Sequence, residues 1–450
     1  MMPSSEFYQH NRQRLIESMP ANSVAIVASG EEQIRNRDVE YEFRAESDFF
    51  YLTGFTEPDS VLFLVKQDKQ AKAVLFLREK DKQQEIWQGR RLGVEQACET
   101  LKVDSAYGID ELDEEGMPLL QGKTSVWLSF SHLAGWNDWL NQAISEAKSK
   151  VRQGIAAPGS IQDLDALLHE QRLLKSEEEI ERLRQAAQIS VQGHLSAMQS
   201  VLTADYEYQV QAELEAAFKR NGSPRVAFNS IVASADNACI LHYTENSAIL
   251  DKKALVLVDA GAEFQGYAGD ITTTFPASGE FSKAQAALYS LVLAAQQAAI
   301  AVIAPGVNYD AMHQASVKVL TKGLVDLGIL KGDVEKLIKE EAYKAFFMHG
   351  TGHWLGLDVH DVGQYKVDGQ SRKLEPGMVI TVEPGLYVSD EHEDIDAKWH
   401  NIGIRIEDDV LVTKNGYEVL TEGLPRTVEE IESWMQSHAI MQNHQVNTPL

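Results

Sequence analysis

Short apolar runs separated by segments of helical spacing set the outline of the chain. "SVAIVAS" (23–29), "SVLFLVK" (60–66), "AVLFLRE" (73–79) and "TSVWLSF" (124–130) are brief and rich in Val, Leu and Phe, the pattern of buried strands. Helix-like segments at 94–102 and 134–150 complete an α/β domain over residues 1–171. The pattern changes at "QRLLKSEEEIERLRQAAQIS". Ser176 with Glu179 three positions on is a capping box, and Ile180, Leu183 and Ala187 then recur at helical spacing. This predicts the first long helix of a second domain, 172–450, with further helices at 205–220, 282–303 (stopped by Pro305-Gly306) and 309–328. The strand-like runs "AFNSIVAS", "ALVLVDAG", "GDITTTF", "GMVITVEPG" and "GIRIEDDVLV" alternate with them, while the tail from about 433 reads as polar and frayed. The fold class is α/β, in two domains.

Length agrees, since 450 residues exceed what one core ordinarily serves. Charge excludes more: a formal net charge of −26 repels phosphate backbones and anionic lipid, so neither nucleic acid nor a membrane is an expected partner. No apolar run is read as long enough to span a bilayer, and "MMPSSEFYQHNRQRL" has no apolar signal region. Cys98 and Cys239 are far apart and have no metal-ligand spacing. A cytoplasmic protein is expected.

The chemistry begins in "VLVDAGAEFQGYAGDITTTF". A hairpin centred between Phe264 and Gln265 makes Asp259 and Asp270 cross-strand neighbours able to share a cation; two turn aspartates making local bonds is the competing reading. Glu383 ends an apolar strand before a Pro-Gly turn, Glu407 lies within a strand on the face of Arg405, and His353 sits in "HGTGHWLGLDVHDVG". Singly, each has an ordinary structural explanation. Together, two Asp, two Glu and one His form an oxygen-rich set suited to divalent ions, Mn²⁺ foremost, with Co²⁺, Fe²⁺, Mg²⁺ or Zn²⁺ competing. Two such ions acidify a shared water, which is hydrolase chemistry. Rival signatures are missing: there is no H-E-x-x-H, no phosphate loop and no G-x-S-x-G.

"ILHYTEN", "DAGAEFQGYAGDITTTFP", "MHGTGHWLGLDVHDVG", "LEPGMVITVEPGLY" and "GIRIEDDVLV", in this order, resemble the proline-specific dinuclear metallopeptidases of the pita-bread fold, the aminopeptidase P family. "ESDFFYLTGFTEPDSVLFL" and "IWQGRRLG" resemble that family's N-terminal creatinase-like domain. The resemblance implies that Asp259 holds one Mn²⁺, that Asp270 and Glu407 bridge two, and that His353 and Glu383 complete the second. It also implies that His242 and His360 contact the substrate and stabilise the tetrahedral intermediate, and that Glu383 carries a proton to the leaving nitrogen. His349, Tyr387 and Arg405 match residues lining the pocket for proline and its downstream carbonyl. Trp87 matches an aromatic that reaches a neighbouring subunit's site in tetrameric relatives, so a homo-oligomer, dimer or tetramer, is expected. Arg372 is a further candidate for a substrate carboxylate. Asp358 and Asp361 are read as structural, and the glycines around them as admitting backbone close to substrate. His10, His132, His169, His194, His313, His392 and His438 are read as solvated.

The implied activity is metal-dependent hydrolysis of the bond between an N-terminal residue and a penultimate proline. Its rivals are a dipeptide-only prolidase, with organophosphate hydrolysis as a side reaction, and a non-catalytic peptide-binding protein on the same fold. Creatinase, which needs no metal, is a third. The last two lose the metal ligands, and this chain keeps all five.

Overall fold

The apolar runs of the N-terminal half assemble into one mixed sheet in the order Ser105–Gly108, Gln70–Leu77, Val61–Gln67, Ser23–Ala28, Ser125–Leu128, Ser160–Asp163. Ser23–Ala28 pairs antiparallel with Val61–Gln67 and parallel with Ser125–Leu128. Val24, Ile26, Phe63, Phe76, Val126 and Leu128 pack with Leu140 of the Leu133–Ser149 helix into one apolar cluster, which is why these runs hold two periods of side chains out of water. The computed structural model describes residues 5–446; residues 1–4, which begin the stretch read for a signal, and 447–450 lie outside it. The chain divides into two units, Met1–Arg172 and Leu173–Leu450.

The second unit opens with the Glu177–Ser200 helix. Ser176 Oγ accepts from the Glu179 N–H at 3.4 Å, and the Ser176 N–H donates to Glu179 Oε2 at 2.8 Å, so the capping box closes in both directions. Helices Glu207–Arg220, Lys283–Ala301 and Ala311–Asp326 follow. They cover two antiparallel three-stranded sheets, Ile231–Ser234/Leu255–Ala260/Ile271–Pro276 and Val379–Val382/Asp408–Thr413/Gly416–Val419, and a ribbon of Gly385–Val388 with Ile402–Arg405. Phe218, Val256, Phe275, Tyr289, Val292, Leu320, Leu386 and Ile404 form the main core beneath. This is the expected two-domain α/β architecture, with strands and helices alternating along both units.

Two expectations change. Lys283–Ala301 is long and apolar enough, by length and composition, to cross a membrane, because alanines fill the positions between its larger apolar residues. Leu288, Tyr289, Val292, Ala295 and Ala299 are buried, which is the packing of a core helix. The tail is not frayed from 433: helix Val428–Val446 runs through it, with Ile431 and Met435, four apart, buried in the main core.

Candidate metal centre

Asp259 stands in the strand Leu255–Ala260, opposite Thr272 of Ile271–Pro276. The hairpin turns between Gln265 and Gly266, both with positive φ, at 51° and 87°. That centre is one residue later than the aspartate spacing suggests, so Asp259 and Asp270 are not cross-strand partners. Asp270 instead occupies a gap in the ladder just before Ile271, where a Cβ on Gly261 would lie 1.6 Å from the Gly269 carbonyl oxygen. The close approach of two glycine backbones makes the gap, and the gap frees Asp270 to point where a paired residue could not.

Glu383 and Glu407 use the same device. Glu383 falls between strands Val379–Val382 and Gly385–Val388, and Glu407 between Ile402–Arg405 and Asp408–Thr413, not inside one strand as the unbroken pattern suggested. Each break is stitched: the Glu407 N–H donates to Thr272 O at 3.0 Å, and the Glu383 N–H to Thr351 O at 2.8 Å. His353 arrives on an extended strip beside Val379–Val382, its carbonyl accepting from the Thr381 N–H at 2.9 Å. A Cβ on Gly352 would lie 1.9 Å from Thr381 O, so that glycine admits the neighbouring backbone rather than substrate. Gly356 likewise makes room for the Asp361 carboxylate.

These five side chains line one cavity of about 420 Å³, together with His242, His349, His360 and Arg405. His353 Nε2 lies 3.3 Å from Asp270 Oδ2 and 3.8 Å from Glu383 Oε1. Ligand atoms of Asp270, His353 and Glu407 all fall within 4.8 Å of one another. His353 Nδ1 donates to Trp354 O at 3.0 Å, leaving Nε2 facing the carboxylates. Among the described residues Asp259 Oδ1 is buried with no hydrogen-bond partner, an expensive state for a carboxylate oxygen unless a cation meets it.

The electrostatics point the same way. Burial, then repulsion from Asp270, Glu383 and Asp259, pushes Glu407 well above the carboxylate range. Burial lifts Glu383 to about 7 and Asp270 to about 6, with His353 pulling both down. Burial alone would depress the His353 imidazole, but Asp270 and Glu383 outweigh it and raise it to about 9. Positive charge is wanted where these groups meet, and the donor set of four carboxylates and one imidazole fits hard divalent ions.

A directed chain of hydrogen bonds forms one wall. Arg405 Nη1 donates to the Tyr387 hydroxyl at 2.9 Å, which donates to His349 Nε2 at 2.8 Å, while His349 Nδ1 donates to Gly350 O at 2.7 Å. Burial and the Arg405 charge push His349 down to about 3, so it is neutral at physiological pH. Arg405 also reaches Asp259 Oδ2 at 2.6 Å and Thr272 Oγ1 at 3.1 Å. Tyr387 thus acts from behind the lining through its hydroxyl. His242 and His360 are exposed at the cavity, the His360 ring edge-on to His353 with centroids 4.4 Å apart. Trp87 belongs to the first unit, on the short helix Lys82–Gln88, and is 87% exposed. Arg372 does not line the cavity; it is buried and lies 3.4 Å from Glu375.

Sequence reasoning passed over several residues. Thr272 Oγ1 donates to Glu407 Oε2 at 2.7 Å, and its place opposite Asp259 follows from the true register. Phe228, Asn229, Leu241 and Thr244 line the cavity; Leu241 and Thr244 stand inside "ILHYTEN", which was the available signal for them, and Phe228 and Asn229 stand in "AFNSIVAS", which gave none. Of the histidines read as solvated, His10 and His132 are exposed. His194 is wholly buried between Thr273 Oγ1 at 2.8 Å and Ala260 O at 2.9 Å, His169 meets Asp48 and His313 meets Thr351. His194 sits among Val191, Ala197 and Met198 on a buried helix face, a context in which a histidine must be bonded rather than wet.

Comparison with known proteins gives a consistent result. Residues 181–414 match the pattern of metallopeptidase family M24, and residues 8–127 that of the aminopeptidase P N-terminal domain. A Xaa-Pro aminopeptidase of Haemophilus influenzae is 44% identical over 434 residues, covering 96% of this chain and 98% of the relative. The structure of Pseudomonas aeruginosa aminopeptidase PepP superposes with a TM-score of 0.95 at 46% identity, covering 98% of this chain and 99% of that one. Escherichia coli aminopeptidase P with the inhibitor Pro-Leu matches with a TM-score of 0.94 at 43% identity, covering 98% and 100%.

Proposed function

The chain belongs to metallopeptidase family M24 and hydrolyses the bond between an N-terminal residue and a following proline, and from that premise we propose that it does so with two divalent cations, Mn²⁺ in preference to Co²⁺, Fe²⁺ or Zn²⁺. The observation that carries this is the convergence of Asp259, Asp270, His353, Glu383 and Glu407 on one cavity, with a buried Asp259 oxygen that no donor among the described residues meets. Asp259 would hold one cation, Asp270 and Glu407 both, and His353 and Glu383 the second. When bound, such cations acidify a water and polarise the scissile carbonyl.

The protein's own groups do the rest. His242, exposed on the cavity wall, donates to the oxygen on which charge develops, and His360, lining the same cavity, stabilises the same tetrahedral intermediate. Glu383, which lines the cavity beside His353, carries the proton to the departing proline nitrogen, since that amine must leave protonated. The Arg405–Tyr387–His349 chain fixes the wall against which proline and its downstream carbonyl rest. Glu383→Gln is expected to abolish turnover while leaving peptide binding measurable; full turnover refutes its role.

Exposed Ile86 and Trp87, side by side on one short helix, support a homo-oligomer, dimer or tetramer, in which Trp87 contributes to a neighbouring site. Light scattering of the purified chain reads this directly. Free Cys98 and Cys239 support a reducing, cytoplasmic setting. The activity itself is tested with Ala-Pro-Ala and Ala-Pro, measuring released alanine with and without EDTA. Faster, EDTA-sensitive release from the tripeptide is expected, whereas release from the dipeptide alone would make the enzyme a prolidase.

A further inference from the structure

Glu207 opens the Glu207–Arg220 helix, outside the cavity, yet its carboxylate is fully buried. Four donors meet it. Oε1 accepts from the Ser234 N–H at 2.8 Å and from Asn237 Nδ2 at 3.0 Å. Oε2 accepts from the Tyr243 hydroxyl at 2.8 Å and from the Ala248 N–H at 2.9 Å. All four belong to the segment that leaves the strand Ile231–Ser234, passes through His242 and returns at Ala248. That segment has one short 3₁₀ turn, Ala235–Cys239, and no ladder of its own around His242. Its shape therefore depends on groups outside it.

Glu207 holds both ends of the segment and the residue beside His242. Tyr243 adds a second link, since its ring packs with Ile231, Leu257 and Tyr387, the last being the tyrosine bonded to His349 and Arg405. Asn246 closes the return: its Oδ1 accepts from the Val232 N–H at 2.9 Å and its Nδ2 donates to Ser230 O at 2.8 Å. The "HYTEN" letters that carry no chemistry are thus the ones that fasten the letter that does.

We infer that Glu207 is a positioning residue for the peptidase reaction, acting through Tyr243 to set His242 against the scissile carbonyl. This rests on the function given above to His242. A carboxylate is required because it alone offers four acceptor sites without a donor; whichever way its amide sits, glutamine turns an NH₂ group toward one backbone N–H, that of Ser234 or of Ala248. An imidazole displaced by about 1 Å loses on the order of a hundredfold in rate.

The test is a cycle of Glu207→Gln, His242→Ala and the double variant on the Mn²⁺-loaded enzyme. kcat and KM for Ala-Pro-Ala are read at enzyme concentrations that detect turnover four decades below wild type. Glu207→Gln is expected to lower kcat at least tenfold, with KM changed less than threefold and bound metal unchanged. In the His242→Ala background the same change is expected to cost less than twofold. Equal losses in both backgrounds, or a wild-type kcat, overturn the inference. If His242→Ala is silent even there, a crystal structure of Glu207→Gln decides: a displaced 235–248 segment supports the inference and an unmoved one overturns it. Should Glu207→Gln not fold, Tyr243→Phe removes only one of the four donors and enters the same cycle with the same expected outcomes. A wild-type enzyme inert toward Ala-Pro-Ala would instead refute the peptidase reading, which separates the two failures.

Discussion

Replacing Lys175 by Met removes a buried ammonium and keeps most of its stem. Lys175 Nζ and Asp361 Oδ2 are 2.8 Å apart, and both side chains are 1% exposed. Asp361 directly follows His360, and its N–H donates to Trp354 O at 2.9 Å, so the ion pair pins the segment that carries His353 and His360 to the start of the second unit. A Cβ on Gly356 would fall 2.1 Å from Asp361 Oδ2 and 3.0 Å from Lys175 Cε, which shows how closely backbone is folded over the pair. Deleting one member of such a buried pair costs about 3–5 kcal/mol. At about 1.4 kcal/mol per tenfold change, the segment should open at least a hundredfold more often. Urea unfolding measures the loss of stability, and hydrogen exchange across residues 349–363 measures the opening. Adding Asp361→Asn, which removes the carboxylate charge, should recover part of the loss. A single variant that loses less than about 1 kcal/mol, or a double variant as unstable as the sum of both singles, would refute the argument.

Three other outcomes are expected. Arg405→Lys keeps the charge but cannot reach Tyr387, Asp259 and Thr272 together, so kcat/KM for Ala-Pro-Ala should fall about fiftyfold or more; an unaltered value would show that charge alone suffices. His194, held near 4 by burial, binds its proton more weakly folded than unfolded, so stability is complete above about 6.5 and declines as pH falls toward 4, by roughly 2 kcal/mol at pH 5. Urea midpoints at pH 7 and pH 5 should differ less in His194→Gln than in wild type, and equal differences would exclude His194 as the cause. Loading Mn²⁺ at a hundredfold excess over its Kd should raise the melting temperature roughly 5–10 °C, reversed by EDTA, through relief of the carboxylate cluster; no shift would argue against a cation there.

Local signals were strong where one element explains itself. The box at Ser176 and Glu179 and the runs at Ser23, Val61 and Gln70 needed no partner to be read. The Ser160–Asp163 strand was not legible, because a half-exposed edge segment with one aliphatic residue has no apolar period. The hairpin centre was missed by one residue because Gln265-Gly266 is a weaker turn signal than Asn-Gly, and the aspartates invited a symmetric centre. Breaks at Asp270, Glu383 and Glu407 are decided by backbone contacts from distant segments, such as Thr272 to Glu407, which no local window contains. The lining residues could be named from resemblance and family wording. That Tyr387 works through a hydroxyl behind the wall, and that Glu207 reaches the segment of His242, are tertiary facts.

The placement of the carboxylates in strand interruptions also bears on how the chain is made. Asp259 is available early, but Glu383 and Glu407 come more than a hundred positions later, each where a later strand pauses. A chain still being synthesised therefore holds Asp259 and Asp270 on a finished hairpin well before the residues that would share a cation with them. Until Ile402–Arg405 is in place, Asp259 also lacks Arg405, the cation it contacts at 2.6 Å. While residues 271–405 are being made the hairpin lacks Arg405 as well as Glu407, so capture of a cation by all five side chains has to wait until the last of them is synthesised.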